Sequence, residues 1–411
     1  MSDPAPRETT LHLLVTRAGC GADAACHTLT VHTTTYAGEN VLEAAQSAGL
    51  RGRLGRRLAF TPHGRGADGV TRATCAWHLF TDGPVAGPPV PASLRALACA
   101  ARSPTATPWF HADWQAGALA WLDAELAVQG CSRTGAPTVL KHWQISLLWR
   151  VPTVRGAVYF KAVPAFFRRE VQVTPRLAGA VPGAAPEVLA ADEQRGFLLL
   201  ADSGEPGGDP AGVLQHLAHV QRATLPLRSQ LHLRERGPAY LRAHLDDLLG
   251  DESLRGDQPG ALTPDEVAAL RAQRTDLLAA LARLDASPLP LTLGHGDLHA
   301  GNVTTRGRAV TLLDWSDVSL THPFLDANPA YLFPDDPAPG PAQLNAARDA
   351  YLSVWTDLAP LDELRALHAD AVRAGELYRA LGYRNGIQRA VPDPGEWAGA
   401  HLWHLRRLLR P

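Results

Sequence analysis

Residues 293–315 read LGHGDLHAGNVTTRGRAVTLLDW. Two aspartates, two histidines and an asparagine stand here among glycines, and the apolar runs LTLGH and AVTLLDW read as two short strands around a loop. Gly294, Gly296 and Gly301 argue against a helix. His295 and His299, four apart, therefore do not share a helical face as zinc ligands would, and no Glu follows the first His as in the zinc-protease pattern. A glycine-rich phosphate loop of the form G-x-x-x-x-G-K-[ST] occurs nowhere in the chain. What remains is a pair of hard oxygen donors, Asn302 and Asp314, with a further carboxylate at Asp297. Donors of that kind suit Mg²⁺, which keeps waters and recruits substrate phosphates. A polar turn capped by Asp and Asn accounts for any one of these residues, but it predicts nothing upstream.

Upstream the composition singles out one residue. Basic residues total 39, yet only Lys141 and Lys161 are lysines. Where arginine is the default cation, a lysine marks a place that needs a compact point charge. Lys161 ends the β-like run of AVYFKAVP, and Glu170 is the only acid between it and Glu187, which makes Glu170 its natural ion partner on the following helix. Lys141 lies in an earlier strand-like run, where a solvated surface lysine is explanation enough.

The texture around these residues predicts the architecture. PTVLKHWQIS, LLWRVPTV and AVYFKAVP follow at hairpin spacing, with Arg155-Gly156 as a turn. A helix carrying Glu170 comes next, which Pro175 should kink or cut, and then the strands PEVLAAD and GFLLLAD. Together they predict a five-stranded antiparallel sheet with one helix. Beyond Gly204 the periodicity predicts helices at 211–225, 237–250, 264–284, 340–358, 361–382 and 395–409. Before the sheet, residues 9–82 read as a small α+β unit from LHLLVT, LTVHTTT, CAWHLF and a helix near VLEAAQSAGL. The Pro/Gly-rich segment 83–91 reads as a linker, followed by a helix from Asp113 as N-cap to Gly130 as stop.

At 411 residues the chain is long enough for two or three domains, and its 45% hydrophobic and 19% charged residues are globular values. A net charge of -2 gives no reason to expect nucleic acid, and no apolar run approaches a membrane span. MSDPAPRETT lacks the features of a signal peptide. Cysteines at 20, 26, 75, 99 and 131 are odd in number and form no C-x-x-C pair, which predicts thiols in a reducing cytoplasm. Nothing in the sequence sets an oligomeric state.

H-G-D-L-H-A-G-N followed by L-L-D-W resembles the catalytic loop and metal-binding strand of the aminoglycoside phosphotransferase and small-molecule kinase family. The spacing is D-x4-N with the next Asp twelve residues on, and the resemblance covers about residues 137–410. It implies an α+β, protein-kinase-like two-lobed fold, with a five-stranded antiparallel N-lobe and a mostly helical C-lobe behind a small α+β N-terminal domain. The implied domains are 1–95, 96–204 and 205–411. The implied cofactors are ATP and Mg²⁺, and the partner is a small molecule with a hydroxyl acceptor. By matching position, Asp297 is the carboxylate that takes or orients the hydroxyl proton, and Asn302 and Asp314 are the Mg²⁺ ligands. Lys161 with Glu170 holds the phosphates. Residues 146–150, SLLWR, stand for the nucleotide-covering loop with Ser146 as its polar group, and Leu200, Ala201 and Asp202 for the hinge that reads adenine. His295 is expected to hold the loop's backbone, and Asp326 to brace it from a helix start. The mixed charges of LHADAVRAGELYRALGYRNGIQRA give no support for an aminoglycoside in particular. The N-terminal stretch is faintly similar to a Nudix-like domain but lacks R-E-x-x-E-E, which implies an accessory and not a hydrolase. A catalytically silent, kinase-like nucleotide-binding protein is the alternative. The A-P-E segment of protein kinases is absent after Asp314.

Overall fold

In the computed structural model of the protein, the described residues are 7–17, 23–33, 38–99, 107–255, 260–334, 337–397 and 399–409. The chain divides into two compact units, Met1–Pro164 with Phe197–Leu199, and Ala165–Gly196 with Leu200–Pro411.

The first unit opens with β1 (Arg7–Thr16), β2 (Ala24–Val31), α1 (Gly38–Ser47), β3 (Arg53–Arg65) and β4 (Thr71–Phe80). They form a four-stranded sheet ordered β2-β1-β4-β3, in which β1 runs parallel to β4 and antiparallel to β2. Leu11, Leu13 and Val15 project to one face, where Val41, Leu42 and Ala45 of α1 bury against them. The sequence reading missed β3. Its RLGRRLAFTPHGR pattern carries four arginines and Pro62, and it forms an edge strand with register shifts and an exposed far half. Edge position tolerates such residues and erases the alternation that marks a strand.

Residues 83–91 hold no helix or strand, and α2 (Ala92–Cys99) follows. α3 (Trp114–Val128) ends near Gly130, whose φ of 63° suits a glycine stop. Asp113 stands at the N-cap position but makes no capping hydrogen bond. The start of α3 is fixed by packing: Trp114 meets Trp149 and Phe197 edge-on, with ring centroids 5.8 and 5.7 Å away.

β5 (Thr138–His142), β6 (Leu147–Thr153) and β7 (Gly156–Ala162) pair antiparallel in sequence. With β8 (Val188–Asp192) and β9 (Phe197–Ala201) they complete the expected five-stranded sheet, ordered β5-β6-β7-β9-β8. One expectation fails here. SLLWR is not a loop, because Leu147, Trp149 and Val151 alternate inward along β6. The connecting turn is 143–146, closed by Trp143 N–H donating to Ser146 O at 2.9 Å. Within this unit α1 joins the two sheets: Glu39 accepts from His142 N–H at 3.2 Å and from the Trp143 indole at 3.3 Å.

In the second unit α4 (Arg169–Ala180) runs through Pro175, which does not cut it. Proline removes one N–H bond, and burial of Val171, Val173, Thr174 and Leu177 along one face holds the helix past it. β10 (Glu205–Pro206), α5 (Pro210–Ala223) and α6 (Pro238–Gly250) follow. The single helix expected at 264–284 is two, α7 (Pro264–Ala272) and α8 (Arg274–Asp285), with a Thr263–Glu266 capping box at the first. LTLGH and AVTLLDW do not pair with each other. β11 (Thr292–Gly294) pairs with β14 (Ser319–Thr321), and β13 (Ala309–Leu312) pairs with an unanticipated β12 (Val303–Arg306). Then come α9 (Pro341–Leu352), α10 (Leu361–Gly382), α11 (Gln388–Ala390) and α12 (Ala400–Leu408). Trp315, Trp355, Tyr351 and Tyr378 are fully buried in this unit's core.

None of Cys26, Cys75 and Cys131 is in a disulfide. Cys20, the first six residues and the Cys99 side chain lie outside the described residues. Among the described residues no helix is long and apolar enough to cross a membrane.

Candidate active site

β11 ends at Gly294, and the chain crosses residues 295–302 before β12 leads through β13 to Asp314. Several backbone groups of that crossing are held by named partners. His295 is fully buried; its Nε2–H donates to Leu313 O at 2.6 Å and its Nδ1 accepts from Asp297 N–H at 3.3 Å. Asp326 accepts from the N–H groups of both His295 and Gly296, the latter at 3.1 Å. It braces the loop as expected, but from the end of a short 3₁₀ turn, Pro323–Asp326, and not from a helix start. Gly296 has φ 89°, and a Cβ there would meet Asp317 O at 2.5 Å, so the position accepts glycine alone.

This frame delivers Asp297 to a guanidinium. Arg379, from α10, donates from Nη1 to Asp297 Oδ1 at 2.6 Å and from Nη2 to Leu298 O at 2.7 Å. The arginine is 6% exposed, and its plane lies 4.1 Å from the centroid of the Tyr331 ring. Tyr331 in turn donates to Glu376 at 2.7 Å, a carboxylate also held by Arg407 and His404 at 2.9 Å each. Asp297 Oδ2 faces His299 Nε2 at 3.7 Å.

Asn302 is buried, and its Nδ2 donates to Asp297 O at 2.9 Å. That bond assigns the amide orientation and leaves Oδ1 as the atom able to ligate. The Asn302 carbonyl accepts from Leu313 N–H at 2.8 Å, which ties the loop to the strand end carrying Asp314. Asp314 has φ 62°, a sparsely populated conformation for a residue with a Cβ. Next to it, Trp315 Nε1–H donates to the buried Ala184 O at 2.7 Å. An amide oxygen and a carboxylate on linked backbone are hard donors and fit Mg²⁺. Among the described residues no group of three or more His, Cys, Asp or Glu is placed to hold a metal. A cation here would draw its remaining ligands from water and substrate oxygens, as Mg²⁺ commonly does.

Asp317 stands at the same place. Burial first, and then the nearby Asp297 charge, push its carboxyl up to about 7.

Lys161 lies near the end of β7 and Ser146 in the turn just before β6, both buried, in the first unit. Glu170 is buried in the first turn of α4, in the second. Leu200 and Ala201 end β9; Ala201 N–H donates to Glu187 O at 2.9 Å. Asp202 O accepts from Arg306 at 2.7 Å, and its carboxylate accepts from Gly204 N–H at 2.9 Å. Sequence reasoning missed Arg379, Tyr331, Asp317 and Arg236. The signal for Arg379 was present: a guanidinium inside the otherwise apolar run Leu377, Tyr378, Ala380 and Leu381 of a buried helix.

A comparison with curated proteins finds no match. Among solved structures, the chain is similar to a choline/ethanolamine kinase family protein from Mesorhizobium loti, at 18% identity and a TM-score of 0.49, over 71% of this chain and 95% of that one. It is similar to a macrolide 2'-phosphotransferase from Brachybacterium faecium at 17% identity and a TM-score of 0.47, over 70% and 98%. A thermostable mutant of an aminoglycoside phosphotransferase, in ternary complex with AMP-PNP and hygromycin B, aligns at 16% identity and a TM-score of 0.44, over 70% and 98%. The family model described as "Phosphotransferase enzyme family" (APH) matches residues 157–364, half of the chain. With the carboxylate loop, the oxygen-donor pair and the five-stranded sheet in place, the chain belongs to the APH phosphotransferase enzyme family, whose fold is protein-kinase-like.

Proposed function

We propose that this phosphotransferase moves the γ-phosphoryl group of ATP, with Mg²⁺, onto a hydroxyl of a small molecule. The observation that carries the reading is the pinned Asp297: Arg379 holds one carboxylate oxygen at 2.6 Å, while the side chain remains one-third exposed. Held so, the second oxygen orients the acceptor hydroxyl and takes its proton as the hydroxyl oxygen attacks phosphorus. The new P–O bond forms as the bond to the β-phosphate oxygen breaks, and ADP leaves with that electron pair. Asn302 and Asp314 would hold the metal, which when bound neutralises charge on the phosphate oxygens. Lys161 is the proposed phosphate cation with Glu170 as its carboxylate, and Ser146 the polar group of the nucleotide-covering turn. Leu200, Ala201 and Asp202 are the proposed adenine-reading segment. The Ala201 N–H is already given to Glu187, so it is not the donor to the base.

We read the chain as an accessory domain at 1–95, an N-lobe at 96–204 and a C-lobe at 205–411. The bonds from Glu39 to His142 and Trp143 support a packing role for the first of these. The test is ADP formation with Mg²⁺–ATP over a library of hydroxyl compounds, with Asp297→Asn as blank. ATP binding without any acceptor-dependent ADP would favour the silent nucleotide-binding alternative.

A further inference from the structure

Beside Asp297 the second unit holds a small cavity lined by Arg236, Gly296, Asp317, Arg379, Gly382 and Tyr383. Two of these side chains have hydrogen-bonding capacity that the fold does not use. Arg236 is set firmly: its N–H donates to Leu320 O at 2.8 Å, and its carbonyl accepts from Thr321 Oγ1 at 3.1 Å. Its Nη2 donates to Tyr378 O at 2.8 Å, and the guanidinium lies 4.2 Å from the centroid of the Tyr378 ring. Among the described residues, Nε and Nη1 make no hydrogen bond, and Nη1 sits beside Gly382 in the cavity wall. Asp317 receives one long bond among the described residues, from Ser316 Oγ at 3.5 Å.

A half-buried carboxylate with so little hydrogen bonding costs stability, and a group kept at that cost beside a reactive carboxylate is there for a ligand. The charges restrict which ligand. Asp297 is paired with Arg379, and Asp317 lies within the field of Arg236, so two acids face two guanidiniums and neither sign is in large surplus. A polycationic acceptor needs surplus acid and a polyanionic one surplus base. With a carboxylate beside a guanidinium, the carboxylate accepts from a hydroxyl and the guanidinium donates to a hydroxyl oxygen.

We propose that Asp317 and Arg236 read the acceptor, and that the acceptor is an uncharged polyol whose phosphorylated hydroxyl has a second hydroxyl next to it. The first hydroxyl reaches Asp297, and the second is held by Asp317 and Arg236. The inference rests on Asp297 being the proton acceptor of the transfer.

The test uses the full-length protein with Mg²⁺–ATP and follows ADP release with three acceptor sets. These are neutral polyols such as glucose, myo-inositol and glycerol, cationic alcohols such as choline and kanamycin, and anionic hydroxy acids such as glycerate and gluconate. Turnover is expected with the neutral set. For the best polyol, Asp317→Asn and Arg236→Lys should each raise KM about tenfold or more, beyond any fall in kcat. A deoxy analogue lacking the adjacent hydroxyl should cost the native enzyme a similar factor and the variants little. Preference for a charged set, no turnover with any polyol, or an unmoved KM in both variants overturns the proposal. The melting shift given by Mg²⁺–ATP is read in parallel. Its absence in the native protein would sink the kinase reading itself, whereas a normal shift with the wrong acceptor class sinks only this inference.

Discussion

A single carboxylate decides whether the loop at 295–302 does chemistry or merely turns the chain. Asp297→Asn keeps the shape and can still accept from Arg379, but it loses the charge that takes a proton. Turnover should fall by about 10²-fold or more while Mg²⁺–ATP binding survives. A turn-capping Asp would instead lower the melting temperature with little change in rate per folded molecule, so both are measured on the same variant. Asp317 gives a second expectation at this scale, and its sign follows from the direction of its shift. Its carboxyl is raised to about 7 in the folded chain, above the ordinary value of about 4. Between those values the native state holds the proton more tightly than the unfolded one, so this group's contribution is present at low pH and lost as pH rises through 7. Asp317→Asn should therefore raise the melting temperature at pH 8 and leave it nearly unchanged at pH 5; equal offsets at both would refute the assignment. Asp297, Asn302 and Asp314 were legible because their spacing is local. Arg379 was not, since 82 residues separate it from Asp297 and only folding shows that they meet.

At the level of elements, what sequence periodicity could carry was the helix and the buried strand. α10 falls at 361–382 as its apolar spacing predicts, and LHLLVT and AVYFKA are strands. The failures share a cause. β3 is an edge strand full of arginine, β12 is four residues long, and α7 and α8 keep one apolar rhythm across Gln273, so none announces its boundary locally. In SLLWR the inward alternation of Leu147, Trp149 and Val151 makes a strand where the family resemblance implies a loop. The connection between strand ends and chemistry can be tested at Trp315. Its indole satisfies the Ala184 carbonyl at 2.7 Å, inside the core and one residue from Asp314. Trp315→Phe keeps most of the packing but orphans that carbonyl, with an expected loss of about 1–3 kcal/mol. If Asp314 is a metal ligand, the Mg²⁺ concentration needed for half-maximal turnover should rise as well. A stability loss with an unmoved Mg²⁺ requirement would separate the strand's packing from the metal assignment.

The molecule as a whole carries its proposed nucleotide residues in two separate compact units, with Lys161 and Ser146 in one and Glu170, Asp297, Asn302 and Asp314 in the other. A ligand that binds the native chain and not the unfolded one raises its stability. At a hundred times its dissociation constant, Mg²⁺–ATP would add about 2.7 kcal/mol to unfolding, read as a raised melting temperature. Lys161 is the residue whose part in this is most exposed to test. Burial of an ammonium at 7% exposure is costly unless anions meet it, and the chain keeps a lysine there while using arginine almost everywhere else. Lys161→Ala removes a phosphate partner, so its Mg²⁺–ATP shift should shrink relative to that of the native protein. Lys161→Arg should recover charge but not fit, and so restore little of the shift. The metal enters the same experiment: EDTA should reduce the ATP shift of the native protein, and Asp314→Asn should make the remaining shift insensitive to EDTA. A full, EDTA-insensitive shift in Lys161→Ala would remove both Lys161 and the Asn302–Asp314 pair from the nucleotide site.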